Sequence, residues 1–272
     1  MGTPKMIHIS NTHAMATVFQ VRIAGEDPAY AEQAARAALT VAERLEGLLS
    51  RFQEESEVSQ LAQLEPGERL RVSEPVFACL EIAHAMQTAT RGTFSPTPRA
   101  LHTQAQPPKW SLDRTCFSIC CEAGRLEFDL GAIGKGFALD RMALELAEWS
   151  CPAYLLVAGG SSLLAGEPPP GLPGWDTGLG EDHSERRVAL AHRALSGSGV
   201  AVQGRHILDP RTGAPAMLRE RAWALAPSAA VSDALSTACM VLAESEIVMV
   251  LERRSDWRVW LMDGGEWRSY GI

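Results

Sequence analysis

Apolar and polar residues follow strand and helix periodicities over most of the chain. Residues 18–23 alternate as in a strand, and residues 30–52 carry apolar side chains at helical spacing, which predicts a strand followed by an amphipathic helix. A second helix is expected to begin at Ser73, with Pro75 tolerated in its first turn, and to end near Gly92. The apolar positions at helical spacing are Leu39, Ala42, Leu45 and Leu49 in the first helix and Leu80, Ala83 and Met86 in the second.

The middle of the chain predicts a hairpin and then a helix. Residues 116–120 and 126–130 flank the sequence CEAG, in which Gly124 would form the turn and after which Asp129 would end the second strand. A helix is expected over residues 137–149. The following sequence, AYLLVAGGSSLLAG, predicts two buried strands bent at a pair of glycines.

The last third of the chain extends this mixture of elements. Strands are expected over residues 186–191, 204–208, 221–226 and 257–262, and a helix over residues 232–242. Since strands outnumber helices, we expect an α+β fold with mixed, largely antiparallel sheets flanked by helices, and one domain over residues 1–272. A Rossmann or Walker nucleotide site is not expected, because no predicted strand leads into a G-x-G-x-x-G or P-loop sequence.

The net negative charge of the chain disfavours nucleic acid as a binding partner. The chain has 33 acidic and 25 basic residues, a net charge of -8, so a nucleic acid backbone would on average be repelled. A small anionic ligand would need local positive charge from backbone N–H groups, a lysine or a metal ion. The apolar content of 46% is ample for a closed core.

The sequence lacks segments typical of export or membrane insertion. Its beginning has no apolar core of signal-peptide length, and no stretch approaches the roughly 20 consecutive apolar residues of a membrane span. We therefore expect a cytoplasmic protein without membrane insertion. The six cysteines are expected to be reduced thiols, and Cys116, Cys120 and Cys121 form their one cluster.

Two glycine-rich segments could bring a ligand close to the backbone. In DLGAIGKGFALD, glycines and Lys135 lead from Asp129 into a helix whose first N–H groups would attract an anion. In VAGGSS, Gly159 and Gly160 offer a second close approach, with Ser161 and Ser162 as hydroxyl donors. The structural alternatives are a strand-to-helix turn that needs glycine and a buried β-bulge.

The segment VSDALSTACM offers oxygen ligands on one side of a helix. Ser232 could cap the helix, and Asp233 and Thr237, four residues apart, would project from the same side. A carboxylate, a hydroxyl and nearby carbonyls suit Mg²⁺ or Ca²⁺ better than Zn²⁺. Alternatively, Asp233 only complements the helix dipole.

The segment HILDPRTGAP predicts a rigid corner at the end of a strand. Pro210 presets a turn, Gly213 permits a positive φ, and the side chain of Asp209 can bond to the turn backbone. His206 precedes the corner and titrates near neutrality, so it could take a proton from a hydroxyl nucleophile. A structural histidine is the alternative.

Taken together and in this order, these segments resemble the ApbE family of FAD:protein FMN transferases. The matching motifs are DLGAIGKGFALD, VAGGSS, HILDPRTGAP and DALST, and weaker similarity extends the resemblance over residues 15–242. The D-P-x-T-G-x-P motif and the D-A-L-S-T helix occurring in one chain are more specific than any single short motif. The resemblance implies a T-fold-related architecture.

The resemblance also implies an activity, in which FAD and Mg²⁺ are bound, FMN is moved onto a threonine hydroxyl of an acceptor flavoprotein and AMP is released. Asp233 and Thr237 match metal ligands, with the Gly134 carbonyl as a backbone ligand, and His206 matches a histidine that assists proton transfer alongside Asp233. The positions that match the cofactor pocket are Met15, Lys135, Gly159, Gly160, Asp209 and Thr212.

Some positions depart from the family pattern and leave other functions open. Ser95, Ala158 and Ser161 stand where the family has acidic or amide side chains. An FAD pyrophosphatase on the same scaffold and a catalytically silent flavin or nucleotide binder are therefore alternatives. A redox or metal cluster of the three neighbouring cysteines is disfavoured, because residues of a strand alternate between its two faces.

Overall fold

The computed structural model of the chain describes residues 7–98, 106–180, 186–199 and 207–271. In the first half of the chain, the elements are β1 Ile7–Ala14, β2 Thr17–Ala24, α1 Pro28–Leu49, α2 Glu57–Leu61, β3 Arg69–Arg71, α3 Glu74–Ala89, β4 Lys109–Asp113, β5 Ser118–Ala123 and α4 Gly134–Glu148. In the second half, they are β6 Tyr154–Ala158, β7 Ser162–Ala165, β8 Trp175–Leu179, β9 Arg186–Leu190, β10 Arg193–Gly199, β11 Arg221–Ala226, α5 Ala229–Cys239, α6 Glu244–Leu251, β12 Arg258–Asp263 and β13 Glu266–Tyr270.

An eight-stranded sheet in the order β1-β2-β6-β7-β10-β11-β12-β13 organises the fold. A three-stranded sheet, β3-β5-β4, and the two-stranded β8-β9 sheet complete the described strands, and every described pairing of strands is antiparallel. The expected α+β class with largely antiparallel sheets is confirmed. Among the described residues, none of the helices combines the length and the apolar character needed to cross a membrane.

The large sheet separates two apolar clusters, because neighbouring residues of a strand point to opposite faces. Leu156 and Leu164 pack with the helices in the larger cluster, whereas Leu155 and Leu163 pack on the other face. The β8-β9 sheet covers that second face with Trp175, Leu179 and Leu190. Each central strand is therefore buried on both sides, which explains the continuous apolar runs in the sequence.

Local sequence determines where the principal helices begin. The Asp27 carboxylate accepts bonds from the Ala29 and Tyr30 N–H groups, and Pro28 occupies the first position of α1. Ser73 precedes α3, as expected. The N-cap of α5, however, is Ser228 and not Ser232, whose hydroxyl instead donates to the Ala224 carbonyl from inside the helix. The helix therefore begins three residues before the predicted range of 232–242.

The hairpin predicted over residues 116–130 is wrong. Strand β5 pairs with β4 through a turn that precedes it, and residues 126–130 lie outside the strands of the described chain. Leu126, Phe128 and Leu130 are buried and alternate with more exposed neighbours, although their backbone is not in a sheet. The alternation therefore reports which side chains enter the core. Asp129 follows an irregular segment, and its N–H donates to the Pro96 carbonyl at 2.7 Å.

Candidate active site

A cavity of about 1260 Å³ opens where several strand ends meet the beginnings of α4 and α5. It exceeds the roughly 300–1,000 Å³ of typical small-molecule pockets, so an extended ligand such as a dinucleotide can fit. Its described lining includes Met15, Lys135, Gly159, Gly160, Gly134, Asp233 and Thr237. Seven positions selected from the sequence therefore line one cavity, although they are spread over more than two hundred residues of the chain.

The start of α4 forms one wall of the cavity. Gly134 is the first residue of this helix, and the Lys135 side chain supplies a cation next to the helix start. The Asp129 carboxylate accepts a bond from the Gly131 N–H at 3.1 Å and forms an ion pair with Arg51 at 3.4 Å. Asp129 therefore braces the turn into α4 and ties it to the residues that follow α1.

The Asp233 carboxylate, on α5, projects into a closely packed corner of the cavity. Its exposure is only 5%, and its two oxygens accept bonds from the Ser162 hydroxyl at 2.6 Å and the Gly136 N–H at 2.7 Å. A buried carboxylate needs such donors because burial removes its hydrogen bonds to water. Asp233 is thereby held by residues from β7 and α4.

Hydroxyl groups from two elements meet beside Asp233. Ser198 of β10 lies with its oxygen 2.9 Å from that of Ser236 and 3.1 Å from that of Thr237. All three residues line the cavity. This pairing fixes α5 against the end of β10, so the Thr237 hydroxyl has a defined position four residues after Asp233.

The donor set at this corner fits a hard divalent cation. Asp233, Thr237 and Gly134 line the same cavity, and they carry a carboxylate, a hydroxyl and a backbone carbonyl, which are the oxygen ligands that Mg²⁺ and Ca²⁺ prefer. Among the described residues, no group of three or more His, Cys, Asp and Glu side chains could hold a metal ion. A cation here would therefore combine one carboxylate with neutral oxygens.

The turn between β6 and β7 forms the opposite wall. Gly159 and Gly160 have φ values of +58° and +68°, a region in which glycine carries no Cβ penalty. A Cβ on Gly159 would lie 2.5 Å from the Thr17 hydroxyl oxygen, whereas one on Gly160 would meet open space. Gly159 thus permits close packing against the β1-β2 hairpin, which brings Met15 to the cavity.

The predicted corner around Pro210 is present and rigid. The Asp209 carboxylate accepts bonds from the Arg211 backbone and side chain, the Gly213 N–H donates to the Asp209 carbonyl at 2.8 Å, and Thr212 accepts from the Ala214 N–H. Gly213 has φ +74°, as its turn position requires. Pro210 lines the cavity, while Asp209 and Thr212 are outside the described lining and hold the turn from within. His206 lies outside the described residues.

Ion pairs of Arg211 hold the corner in place. Arg211 forms ion pairs with Asp209 at 3.1 Å and with Glu246 of α6 at 2.8 Å. The hydrogen bond with Asp209 raises the pKa of Arg211. The Ala243 N–H, and then Arg211, lower the pKa of Glu246. The corner is therefore fastened to the start of α6.

The positions that depart from the family pattern have simple roles. Ser95 lines the cavity, and its hydroxyl accepts a bond from the Thr97 N–H at 3.1 Å. Ala158 is fully buried at the end of β6. Ser161 lines the cavity, and its carbonyl accepts from the Gly197 N–H at 2.7 Å. Ser95 thus makes an uncharged polar contact through its hydroxyl, and Ser161 makes one through its backbone carbonyl.

The three neighbouring cysteines do not converge on one point. All six cysteines of the chain are within the described residues and are free thiols. Cys116 lies in the turn before β5, Cys120 is half-buried, and the buried Cys121 thiol lies 3.3 Å from the Gly124 carbonyl oxygen. In the part of the chain that the structure describes, these cysteines do not form a group that could hold a metal ion.

Some residues of the site were missed by sequence reasoning. The Phe52 ring is 79% exposed at the cavity, with the Arg51 guanidinium 4.1 Å from its centroid. Trp223 of β11 also lines the cavity and stacks on Trp267 with ring centroids 4.9 Å apart. Phe52 is the last residue of a predicted helix and Trp223 lies inside a predicted strand, so neither had a signal that separated it from core residues.

Asp140 is a further missed residue, although it ends the glycine-rich motif. Its carboxylate accepts bonds from the Ser228 hydroxyl at 2.7 Å and from the Ala229 and Ala230 N–H groups at 2.7 Å and 2.9 Å. Burial is the main cause of a raised pKa for this carboxyl. The repeated aspartate in DLGAIGKGFALD was the available signal.

Comparison with known proteins identifies the family. The model of the ApbE family matches residues 15–261, most of the chain. The chain belongs to the ApbE family. This match extends the sequence resemblance by 19 residues, since residues 15–242 were expected.

Individual ApbE relatives are distant in sequence. The chain is 26% identical over 207 residues to a FAD:protein FMN transferase of Klebsiella pneumoniae, covering 63% of each chain. It is 30% identical over 142 residues to one of Haemophilus influenzae, covering 47% of this chain and 41% of the relative. These alignments thus span less than two thirds of either relative.

The fold agrees over a greater length. The crystal structure of Pseudomonas stutzeri flavinyl transferase ApbE in its apo form superposes with a TM-score of 0.81 at 19% identity. The superposition covers 98% of this chain and 94% of that chain. The architecture of the ApbE family is therefore present almost throughout.

Proposed function

We propose that this ApbE family member is an FAD:protein FMN transferase, which moves FMN from FAD onto a threonine hydroxyl of an acceptor flavoprotein and releases AMP. The observation that carries the proposal is one cavity lined by the start of α4, the Gly159-Gly160 turn, Asp233 and Thr237. The curated relatives named FAD:protein FMN transferase support it.

The proposed reaction exchanges one phosphorus–oxygen bond for another. The threonine oxygen of the acceptor bonds to the phosphorus of the FMN half, and the bond from that phosphorus to the bridging oxygen breaks, so that AMP leaves with this oxygen. The threonine proton passes to a base, for which His206 is the candidate. Positioning and charge stabilisation supply most of the catalysis in such transfers.

Residues of the described cavity fit the parts of this substrate. Lys135 and the beginning of α4 provide positive charge for a diphosphate, and the glycine turn leaves its backbone open to close approach. Met15 and Phe52 offer apolar surface for a flavin ring. Asp233, Thr237 and the Gly134 carbonyl would hold Mg²⁺ or Ca²⁺, which would neutralise the diphosphate charge.

Product analysis tests the proposal. The purified protein is incubated with FAD and Mg²⁺, with and without an extract of cells that contain its natural acceptor, and FMN, AMP and covalently flavinylated polypeptides are resolved. We expect AMP and a polypeptide that keeps its flavin fluorescence after denaturation, formed only with the extract. FMN and AMP without an acceptor would indicate the pyrophosphatase instead, and bound FAD without products would indicate a silent binder.

A matched pair of variants connects the activity to the cavity. Asp233→Ala is expected to lower turnover at least about 100-fold, since it removes the carboxylate ligand of the proposed cation site. The control Asp256→Asn removes a charge from an exposed residue outside the described lining and should keep full activity. Equal activity in both variants would contradict the proposed role of Asp233.

A further inference from the structure

The Asp140 carboxylate caps a helix to which it does not belong. Asp140 is the seventh residue of α4, yet it accepts bonds from the Ser228 hydroxyl and from the Ala229 and Ala230 N–H groups at the start of α5. The first turn of α5 has no acidic residue of its own. Asp140 therefore supplies the negative charge that stabilises the N-terminal end of a helix.

Asp233 makes the reciprocal contact. It belongs to α5, and one of its oxygens accepts a bond from the Gly136 N–H in the first turn of α4 at 2.7 Å. Each helix thus sends a carboxylate to the beginning of the other. Two negative charges are tolerated near each other here because each one faces the backbone N–H groups of a helix start.

The two helix starts touch where these carboxylates cross. A Cβ on Gly136 would lie 2.1 Å from the Ala229 carbonyl oxygen, so only glycine allows this approach. Small shifts of α5 would therefore change the Gly136–Asp233 hydrogen bond directly. They would also move Thr237, whose hydroxyl is paired with Ser198.

We propose that Asp140 is a positioning residue for the transfer reaction, because it fixes α5 against α4 and so orients Asp233 and Thr237 at the cavity wall. This inference rests on the proposed function for its catalytic consequence. Asp140 is not among the described residues that line the cavity, so it acts through α5 and not by contact with the substrate. Its bonds also occupy the Ala229 and Ala230 N–H groups, so the start of α5 is held by α4.

The test compares Asp140→Asn with Glu148→Gln, which makes the same change at an exposed carboxylate of the same helix. An asparagine side chain keeps one acceptor oxygen but turns an amide NH₂ group toward the N–H donors. Hydrogen exchange is measured over residues 229–239, and Mn²⁺ binding is measured by electron paramagnetic resonance. We expect Asp140→Asn to speed exchange in α5 and to weaken Mn²⁺ binding about 10-fold, the lower end of the range seen when direct partners of metal ligands are removed, because Asp140 acts through the helix that carries the ligands.

Turnover is measured at a temperature at which circular dichroism shows that all variants are folded. Asp140→Asn should lower kcat about 10-fold or more with a smaller change in KM for FAD, because the reacting groups lose their alignment. Asp140→Glu tests rescue and should recover part of kcat. Glu148→Gln should match the wild type in every measurement.

The outcomes separate this inference from the proposed function. Wild-type exchange in α5 together with wild-type Mn²⁺ affinity in folded Asp140→Asn would overturn the positioning role. So would a loss of stability that leaves kcat and Mn²⁺ affinity unchanged. If the wild type forms no AMP or flavinylated product, the proposed transfer fails, while exchange and Mn²⁺ binding still decide whether Asp140 orients α5.

Discussion

Gly136 and Ala229 lie in direct backbone contact, with only 2.1 Å between the place of a Gly136 Cβ and the Ala229 carbonyl oxygen. Gly136→Ala must therefore push α4 and α5 apart, and we expect it to lower the free energy of unfolding by about 3 kcal/mol. Urea unfolding measures this change. Gly134→Ala is the stability control, since its Cβ would lie an ordinary 3.9 Å from that of Leu130. Equal stability of the two variants would contradict the close contact.

The glycine pair between β6 and β7 offers a second comparison. Both residues have positive φ, so alanine at either position costs about 1 kcal/mol of backbone strain. Gly159→Ala also places its Cβ 2.5 Å from the Thr17 hydroxyl, whereas Gly160→Ala meets open space. Thermal unfolding should show a loss about 1–3 kcal/mol larger for Gly159→Ala. Combining it with Thr17→Ala should restore part of that loss, and the absence of any rescue would argue against this steric cause.

Arg219 is a buried cation at the C-terminal end of α5. Its guanidinium donates to the Cys239 and Leu242 carbonyls, and its exposure is 7%. Arg219→Met leaves these carbonyls without their charged donor, and we expect a loss of about 2–3 kcal/mol in urea unfolding. The stability of Arg219→Lys should lie between those of the wild type and Arg219→Met, because one ammonium group replaces the planar guanidinium. Arg253→Met, at an exposed position, should change stability by less than about 0.5 kcal/mol.

The buried Cys239 thiol predicts a specific dependence on pH. Burial raises the pKa of Cys239 to about 12, from 9.0 for an unperturbed thiol. Between these values the unfolded chain loses this proton and the folded chain keeps it, so the contribution of Cys239 to stability falls as the pH rises. The stability difference between the wild type and Cys239→Ala should therefore shift by about 1.4 kcal/mol per pH unit above pH 9.

Urea unfolding of both proteins at pH 7.5, 9 and 10 checks this dependence on Cys239. Subtracting the variant cancels other groups that titrate in the same range. A difference that stays constant over these pH values would show that Cys239 ionises alike in the folded and unfolded chains. In addition, native Cys239 should resist alkylation at pH 8 and react after unfolding, because the thiolate is the nucleophile.

Much of the fold could be predicted from local patterns, for identifiable reasons. The strand over residues 221–226 coincides with β11, because its apolar residues cover both faces of the sheet: Trp223 and Leu225 pack in one cluster and the intervening alanines in the other. Strand β10 was missed, because LSGSG has small residues and little hydrophobic alternation. Its regularity comes from pairing with β7 and β11, which a local window does not contain. The opposite error occurred at residues 126–130, which were predicted as a strand. Their side chains alternate because every second one enters the core, and not because the backbone belongs to a sheet.

The candidate site could be predicted where its sequence motifs contain residues that can bind a ligand or a metal ion. Gly134, Lys135, Asp233 and Thr237 were selected from the sequence, and all four line the cavity. The contacts that hold them were not predictable, because Asp140 and Ala229 are 89 residues apart and Ser162 and Asp233 are 71 apart. Such pairings follow from how the strands and helices pack in the complete fold.

Asp233 is the one ionisable carboxylate on α5, and both charges that anchor this helix, Asp140 and Arg219, come from other parts of the chain. The helix therefore takes its orientation from its surroundings. Substitutions in distant segments that shift either anchor should impair the proposed transfer while every cavity side chain keeps its identity. A variant that loses the proposed activity therefore needs a structural measurement of α5 before the loss is assigned to a residue of the cavity.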